Sequence, residues 1–280
     1  IKMIVPISVV CPTHKGNKKL PKLINSILNN TVKPDEIIIC GTNINDIKNL
    51  NHKKIKFIVS PISNQSYQRK LAIKKSKNKL ILQCDDDIVL EKTFFKKMYN
   101  HFKGDIDAKK IVSASILTKN NYHQSVRWNR LYNNNIIFKK LIYFLNNFKN
   151  VKYMSIISSG RIAPRLPKNF SNKSGKNEIL EGNEWLCSTI CYNKKYYKNY
   201  YDINNAEKSY FEDVIFTHTL FKKKFNLVLD PNIIAYHPYK KKSDLKLFLK
   251  TIPVQYKIVR RFNKSITLFL IDIIIFLMVF

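Results

Sequence analysis

Three consecutive carboxylates, Asp85, Asp86 and Asp87, directly follow the apolar run 79–84 (KLILQC). Like charges at the end of a buried strand repel one another and are costly to keep ionised without a compensating cation. Oxygen donors suit Mg²⁺ or Mn²⁺, ions that keep coordination positions open for substrate phosphates. The plainer alternative is a solvated turn ahead of a helix at 89–99. A second acidic pair, Glu212-Asp213, stands near the start of an apolar helical stretch, where the helix dipole also favours carboxylates. His237 ends a short apolar segment just before Pro238, a place where histidine serves packing as readily as ligation. Trp185, with Gly182, Asn183 and Glu184 beside it, is a better candidate than Trp128 for stacking on a sugar or base.

The elements that must position these residues follow from periodicity. Residues 4–11 (IVPISVVC) read as a strand, 20–28 as a helix, 36–40 and 55–59 as strands, 65–75 as a basic helix and 79–84 as a fourth strand. Strands alternating with helices predict a largely parallel sheet with right-handed crossovers, whose ligands bind at the carboxyl ends of the strands. That topology points Pro12-Thr13-His14, Gly41-Thr42-Asn43 and the three aspartates to one edge. From 105 to 181 the pattern loosens and carries no secure assignment. It returns at 181–192, at a helix over 210–224 and at short strands over 225–230 and 233–237.

Composition bounds the partners. The chain has 280 residues, of which 45% are hydrophobic, enough to bury a substantial core and to exclude a mainly disordered polymer. Five cysteines without metal-ligand spacing argue against a disulfide-stapled domain. Cys11, Cys40 and Cys84 each end a strand and read as buried small hydrophobes, while Cys187 and Cys191 lack partners for zinc. Fifty Lys+Arg against nineteen Asp+Glu gives +31, which favours anionic partners, although biased codon usage would produce the same Lys-rich balance. Residues 265–280 form an apolar run with one charge, Asp272, preceded by Lys257, Arg260, Arg261 and Lys264. It falls slightly short of the ~20 residues that span a bilayer, so it is either membrane-associated or a buried terminal helix. No signal-peptide pattern opens the chain, which together with reduced thiols predicts a cytoplasmic location at the membrane face.

The order of these pieces resembles the inverting family 2 glycosyltransferases, which have the nucleotide-diphospho-sugar transferase fold called GT-A. VVCPTHKGNKKLPKLINSIL resembles the family's first strand, Pro-Thr loop and helix, and KPDEIIIC its second strand. NQSYQRKLAIKKSKNKLILQCDDD resembles the basic helix running into a DXD-type motif. EGNEWLCSTICY and SYFEDVIFTHTLFKKKFNLVLDPNIIAYH resemble the acceptor segment, the ED motif and the final histidine. The resemblance implies an α/β fold with a mixed, mostly parallel sheet flanked by helices, ending in an amphipathic and apolar helical tail. It divides the chain into a nucleotide-sugar-binding half at 1–104, an acceptor-binding half at 105–239, and a basic linker with an apolar membrane-associated tail at 240–280.

For the site, the resemblance implies that Pro12, Thr13, Arg69, Asp85 and Asp86 meet a nucleotide-diphospho-sugar. It further implies that Asp87, Asp85 and His237 hold Mn²⁺ or Mg²⁺, that Asp213 is the catalytic base with Glu212 orienting the acceptor, and that Asn183, Glu184 and Trp185 line a glycan or lipid-linked acceptor. A UDP-sugar is the expected donor, but Cys40-Gly41-Thr42 lacks the acidic residue that often reads the base after the second strand. Arg69-Lys70-Leu71-Ala72 departs from the common Arg-Asn-x-Gly, and Gln255 to Phe262 (QYKIVRRF) lacks the Gln-x-x-Arg-Trp of processive synthases, which implies one sugar per encounter. The rivals are a nucleotidyltransferase of the same fold, which would release pyrophosphate, a non-catalytic member that only binds, and a basic nucleic-acid-binding protein, which leaves the ordered acidic motifs unexplained; no specific nucleic-acid partner is expected.

Overall fold

The computed structural model describes residues 3–14, 20–47, 50, 52–117, 140, 144–145, 154–160, 162–163, 178–186, 189–199, 210–237 and 245–279. Trp128, Cys187 and most of the loosely patterned 118–177 stretch lie outside the described residues.

The first four strands, β1 (Ile4–Pro12), β2 (Lys33–Gly41), β3 (Ile55–Val59) and β4 (Leu80–Gln83), pair in parallel in the order β3-β2-β1-β4. The apolar runs of β1, β2 and β4 are buried on both faces, the signature of a parallel sheet covered by helices on each side, whereas the edge strand β3 is partly exposed. Helix α1 (Leu20–Leu28) lays Leu20, Leu23, Ile24 and Ile27 on one face of that sheet. On the other face lies α2 (Gln65–Lys75), capped by Asn64, whose side chain accepts from the Tyr67 N–H at 2.9 Å. Beyond β4 the sheet continues through β9 (Ile190–Asn193), β6 (Lys110–Leu117), β10 (Asn226–Tyr236) and the two-residue β5 (Val89–Leu90). Strand β9 runs antiparallel to both β4 and β6, and β5 antiparallel to β10; the remaining pairs are parallel. The sheet is therefore mixed and mostly parallel, as expected.

A register shift between Asp230 and Ile234 lets β10 pass Pro231, which has no N–H for the ladder, while Asp230 accepts from the Asn232 N–H at 2.8 Å. The shifted strand then pairs Tyr236 with Val89, which carries His237 to the aspartate loop after β4. Short helix α3 (Phe94–Asn100) seals this end with Phe94, Phe95 and Met98. Helix α4 (Glu212–Lys222) packs Val214, Ile215, Phe216 and Leu220 into the second core, beside the small hairpin of β7 (Ser155–Ile156) and β8 (Ile162–Ala163).

The segment read as a basic linker contains α5 (Leu245–Arg261), and the apolar run forms α6 (Ile266–Val279). Thr251, Val254, Ile258 and Val259 of α5 are buried. Among the described residues, no helix is long and apolar enough to cross a membrane.

Candidate active site

Pro12 and Thr13 stand where β1 ends. Thr13 donates its N–H to the Cys40 carbonyl at 2.8 Å and its hydroxyl to Asp86 at 2.9 Å, which ties the end of β1 to those of β2 and β4. Directly behind, Cys11 and Cys84 are buried side by side on the paired strands β1 and β4, and the Cys84 thiol together with burial pushes the Cys11 thiol well up. These sulfurs pack as small hydrophobes, as the strand-end reading expects.

Helix α2 departs from an apolar-faced helix. It buries Ser66, Gln68 and Arg69 together with Ala72 and Ile73, so part of its inward face is polar. Arg69 is 1% exposed and forks between two carboxylates, pairing with Asp85 through one terminal nitrogen and with Glu212 through the other. Ser66 donates to the second oxygen of Glu212, and Gln65 donates to Asp85 at 3.2 Å. A buried charge is tolerable only when paired and hydrogen-bonded, and this arrangement supplies both. It also alters two expectations. Arg69 is committed to holding Asp85 and Glu212 rather than reaching outward for a donor phosphate. Glu212, expected to orient the acceptor, has both oxygens engaged inside the protein by Ser66 and Arg69.

Its neighbour Asp213 sits differently. Phe211, just before the pair, adopts the left-handed conformation (φ 57°), uncommon for an aromatic residue and costly when not enforced by its surroundings. Glu212 and Asp213, consecutive in the first turn that follows, point to different sides of the helix and meet different environments. Asp213 is partly accessible and accepts a hydrogen bond from the Val214 N–H at 2.9 Å. Burial, then the Glu212 charge, raises its pKa to about 7, with Asp85 adding to the effect and Arg69 opposing it. A carboxylate poised near neutral pH suits general-base work.

Asp87, 4% exposed, meets His237 with Oδ1 3.2 Å from Nε2. A carboxylate beside an imidazole is a donor pair that can hold a divalent transition ion, and its one imidazole makes it a better fit to Mn²⁺ than to the oxygen-demanding Mg²⁺. Asp85, expected beside them, is instead paired with Arg69 through one of its oxygens. Among the described residues no three Asp, Glu, His or Cys side chains converge as a ready-made metal site.

Asp46 was missed in the sequence. Its Oδ2 is shielded from solvent and has no hydrogen-bond partner among the described residues. A Cβ placed on Gly41 would lie 3.0 Å from that oxygen and 3.0 Å from the Thr13 methyl, so the absence of a side chain at Gly41 is what lets Asp46 close on the end of β1. An acceptor left without a donor next to Thr13 is a place for a ligand N–H. The available signal is an acidic residue four positions after the second-strand triplet, separated from it by residues 43–45.

The acceptor segment is placed largely inside. Asn183 is 1% exposed and donates to the Leu180 and Leu227 carbonyls at 2.8 and 2.9 Å. The Trp185 ring is buried, its indole donating to the Ser155 carbonyl at 3.2 Å, so it packs and offers no open stacking face. Glu184 is half-buried and accepts from the Ile156 N–H at 3.0 Å. The three residues tie 180–186 to β7 and β10; this placement differs from the acceptor-lining roles expected of them.

The glycosyl transferase family 2 model matches residues 8–157. No curated protein sequence matches the chain significantly. Among solved structures, S. aureus TarS (residues 1–349) is 14% identical with a TM-score of 0.50, over 90% of this chain and 65% of that one. The same TarS fragment in complex with UDP gives 13% and 0.50. GalNAc-T7 with UDP, GalNAc and Mn²⁺ is 12% identical with a TM-score of 0.59, over 91% of this chain and 48% of that one. The chain thus spans less than two thirds of either structure, and the likeness shows a shared GT-A fold.

Proposed function

Since the chain belongs to glycosyl transferase family 2, we propose that it transfers a sugar from a nucleotide-diphospho-sugar to a hydroxyl of a glycan or lipid-linked glycan, inverting the anomeric centre, one sugar per encounter. The observation that carries the reading is the contrast between Asp213, partly accessible with a pKa raised to about 7, and Glu212 beside it, locked to Arg69. Asp213 accepts the proton of the acceptor hydroxyl as its oxygen attacks; a single displacement needs only that one base. Arg69 and Ser66 hold Glu212, and through it the start of α4, so that the Asp213 carboxylate keeps its aim.

Thr13 and Asp46 border the nucleotide pocket. The unsatisfied Asp46 oxygen accepts an imide N–H such as uracil offers, which favours a UDP-sugar and substitutes for the acidic residue missing at 40–42. The UDP in the TarS complex and the UDP and Mn²⁺ in the GalNAc-T7 structure support that donor class. Asp87 and His237 would hold the divalent ion, which when bound neutralises charge on the departing nucleoside diphosphate. The +31 charge and the C-terminal helices support work at the cytoplasmic face of a membrane, where lipid-linked acceptors lie.

Calorimetric titration with UDP, GDP, CDP and dTDP, in Mn²⁺ and then in EDTA, tests the donor site. UDP binding that requires Mn²⁺, disappears in Asp87→Ala and weakens in Asp46→Asn is expected. Equal binding in EDTA and in Asp87→Ala would remove the metal assignment, and no nucleotide binding would remove the donor reading.

A further inference from the structure

Helix α6 is apolar on nearly every side, yet only part of it faces the protein. Phe269 and Ile275 are buried, and Asp272 accepts from the Ser159 hydroxyl at 2.6 Å. Ser265 donates its N–H to the Ser158 carbonyl at 2.8 Å, and Lys264 donates to the Ile156 carbonyl at 2.7 Å. A Cβ on Gly160 would lie 2.4 Å from a Val259 methyl, so β7 and the turn after it fit closely against α5. The hairpin of α5 and α6 is thus bolted to the domain on one side. On the other, Ile266, Leu270, Ile274 and Leu277 are exposed by 37, 53, 57 and 47%. Their spacing of four, four and three places them in one stripe along the helix.

Charge identifies what covers this stripe. Between Leu245 and Val279 the sequence has Lys246, Lys250, Lys257, Arg260, Arg261 and Lys264, against a single carboxylate, Asp272, which is buried. Lys250, Lys257 and Arg260 are exposed and recur on one side of α5, next to Leu249 and Tyr256. The Tyr256 ring lies against Phe269, centroids 6.1 Å apart, which brings that side of α5 beside α6. A second copy docking by this face would set cation against cation. At 14 residues α6 is about 21 Å long, too short to cross a hydrocarbon core of about 30 Å, and one of its sides is already occupied.

We infer that the α5–α6 hairpin is an in-plane docking surface for an anionic lipid bilayer: Ile266, Leu270, Ile274 and Leu277 enter the headgroup boundary, and Lys250, Lys257 and Arg260 meet lipid phosphates. The inference deepens the membrane placement proposed above by naming the surface, its orientation and its lipid chemistry. Because Asp272 and Lys264 fix the hairpin to the domain, docking also fixes how the catalytic cleft faces the membrane.

The test is vesicle flotation of the full chain with phosphatidylcholine alone and with about a third phosphatidylglycerol, without donor or acceptor, so that its outcome is independent of the transfer reaction. Binding to the anionic vesicles only, weakened by salt, is expected. Leu270→Glu with Ile274→Glu should lower it about tenfold or more, and Lys257→Glu with Arg260→Glu should abolish the anionic preference, each with unchanged circular dichroism. No vesicle binding, binding that neither pair alters, or a concentration-dependent dimer dissolved by the glutamate pair would each overturn the inference. Vesicle binding without nucleotide binding would sink the glycosyl-transfer reading and leave the docking surface standing.

Discussion

At the catalytic edge of the sheet the charges are indoors and the apolar groups form a shell around them. Arg69, Glu212 and Asp87 are nearly inaccessible, and each is engaged by a neighbour of opposite or dipolar character. On the C-terminal hairpin the distribution is inverted: Lys250, Lys257, Arg260 and Arg261 are outside, Asp272 is inside, and large aliphatic side chains face outward. The difference separates two uses of charge. Buried and mutually compensated, it fixes geometry, because moving one member strands the others at a cost of several kcal/mol. Exposed and of one sign, it fixes nothing in the fold and selects the partner.

Arg69→Ala should break the comparison most severely. It leaves Asp85 and Glu212 facing each other without a cation, and a cost of about 3–5 kcal/mol is expected in urea unfolding, with transfer lost as well. Arg69→Lys should rescue little, since one ammonium cannot occupy both ends of the fork. A stable Arg69→Ala protein would mean that the triad does not organise the site.

Asp213→Asn should cost about 10²–10⁴ in transfer while nucleotide binding is kept. Wild-type activity should rise with pH through about 7 as the base ionises. The stability sign runs the other way. The folded-state pKa lies above the usual carboxylate value of 3.8, so the stability that Asp213 contributes is fully present in acid and is lost as pH rises through about 7. Asp213→Asn removes that loss, and its melting temperature should exceed wild type at pH 8 by more than at pH 5. Equal melting differences at both pH values would show that Asp213 is not held in a charge-averse setting.

The sheet was legible because its strands are dense in β-branched residues and each ends on a chemically distinctive tripeptide, so periodicity and topology together gathered Thr13 and Asp85 to Asp87 at one edge. What the sequence did not disclose was who pairs with whom. Arg69 sits 16 positions from Asp85 and 143 from Glu212, and no pattern announces that one guanidinium serves both. The antiparallel insertion of β9 between β4 and β6 was equally hidden, since its four residues follow the irregular 105–181 stretch. The polar neighbours of Asn183 and Trp185 in the sequence suggest exposure, whereas buried backbone carbonyls of Leu180, Leu227 and Ser155 take their N–H groups inside. The apolar terminal run admitted both a buried and a membrane-facing reading, and the structure divides it lengthwise into a buried side and an exposed one.

The smallest effect is the sharpest on that division. Leu270 is half exposed and adjoins Phe269, which is 4% exposed on the same helix. If nothing in the protein covers the stripe, Leu270→Glu gives up no packed contact, and glutamate is about as good a helix former as leucine, so unfolding free energy in dilute buffer should stay within about 0.5 kcal/mol of wild type. Hydrophobic surface that contributes nothing to folding, kept next to surface that does, is what a binding face requires. A loss of more than about 2 kcal/mol would place Leu270 in a packed environment. The hairpin would then be part of the core, and the contrast between an inside-charged edge and an outside-charged tail would collapse into one continuous domain.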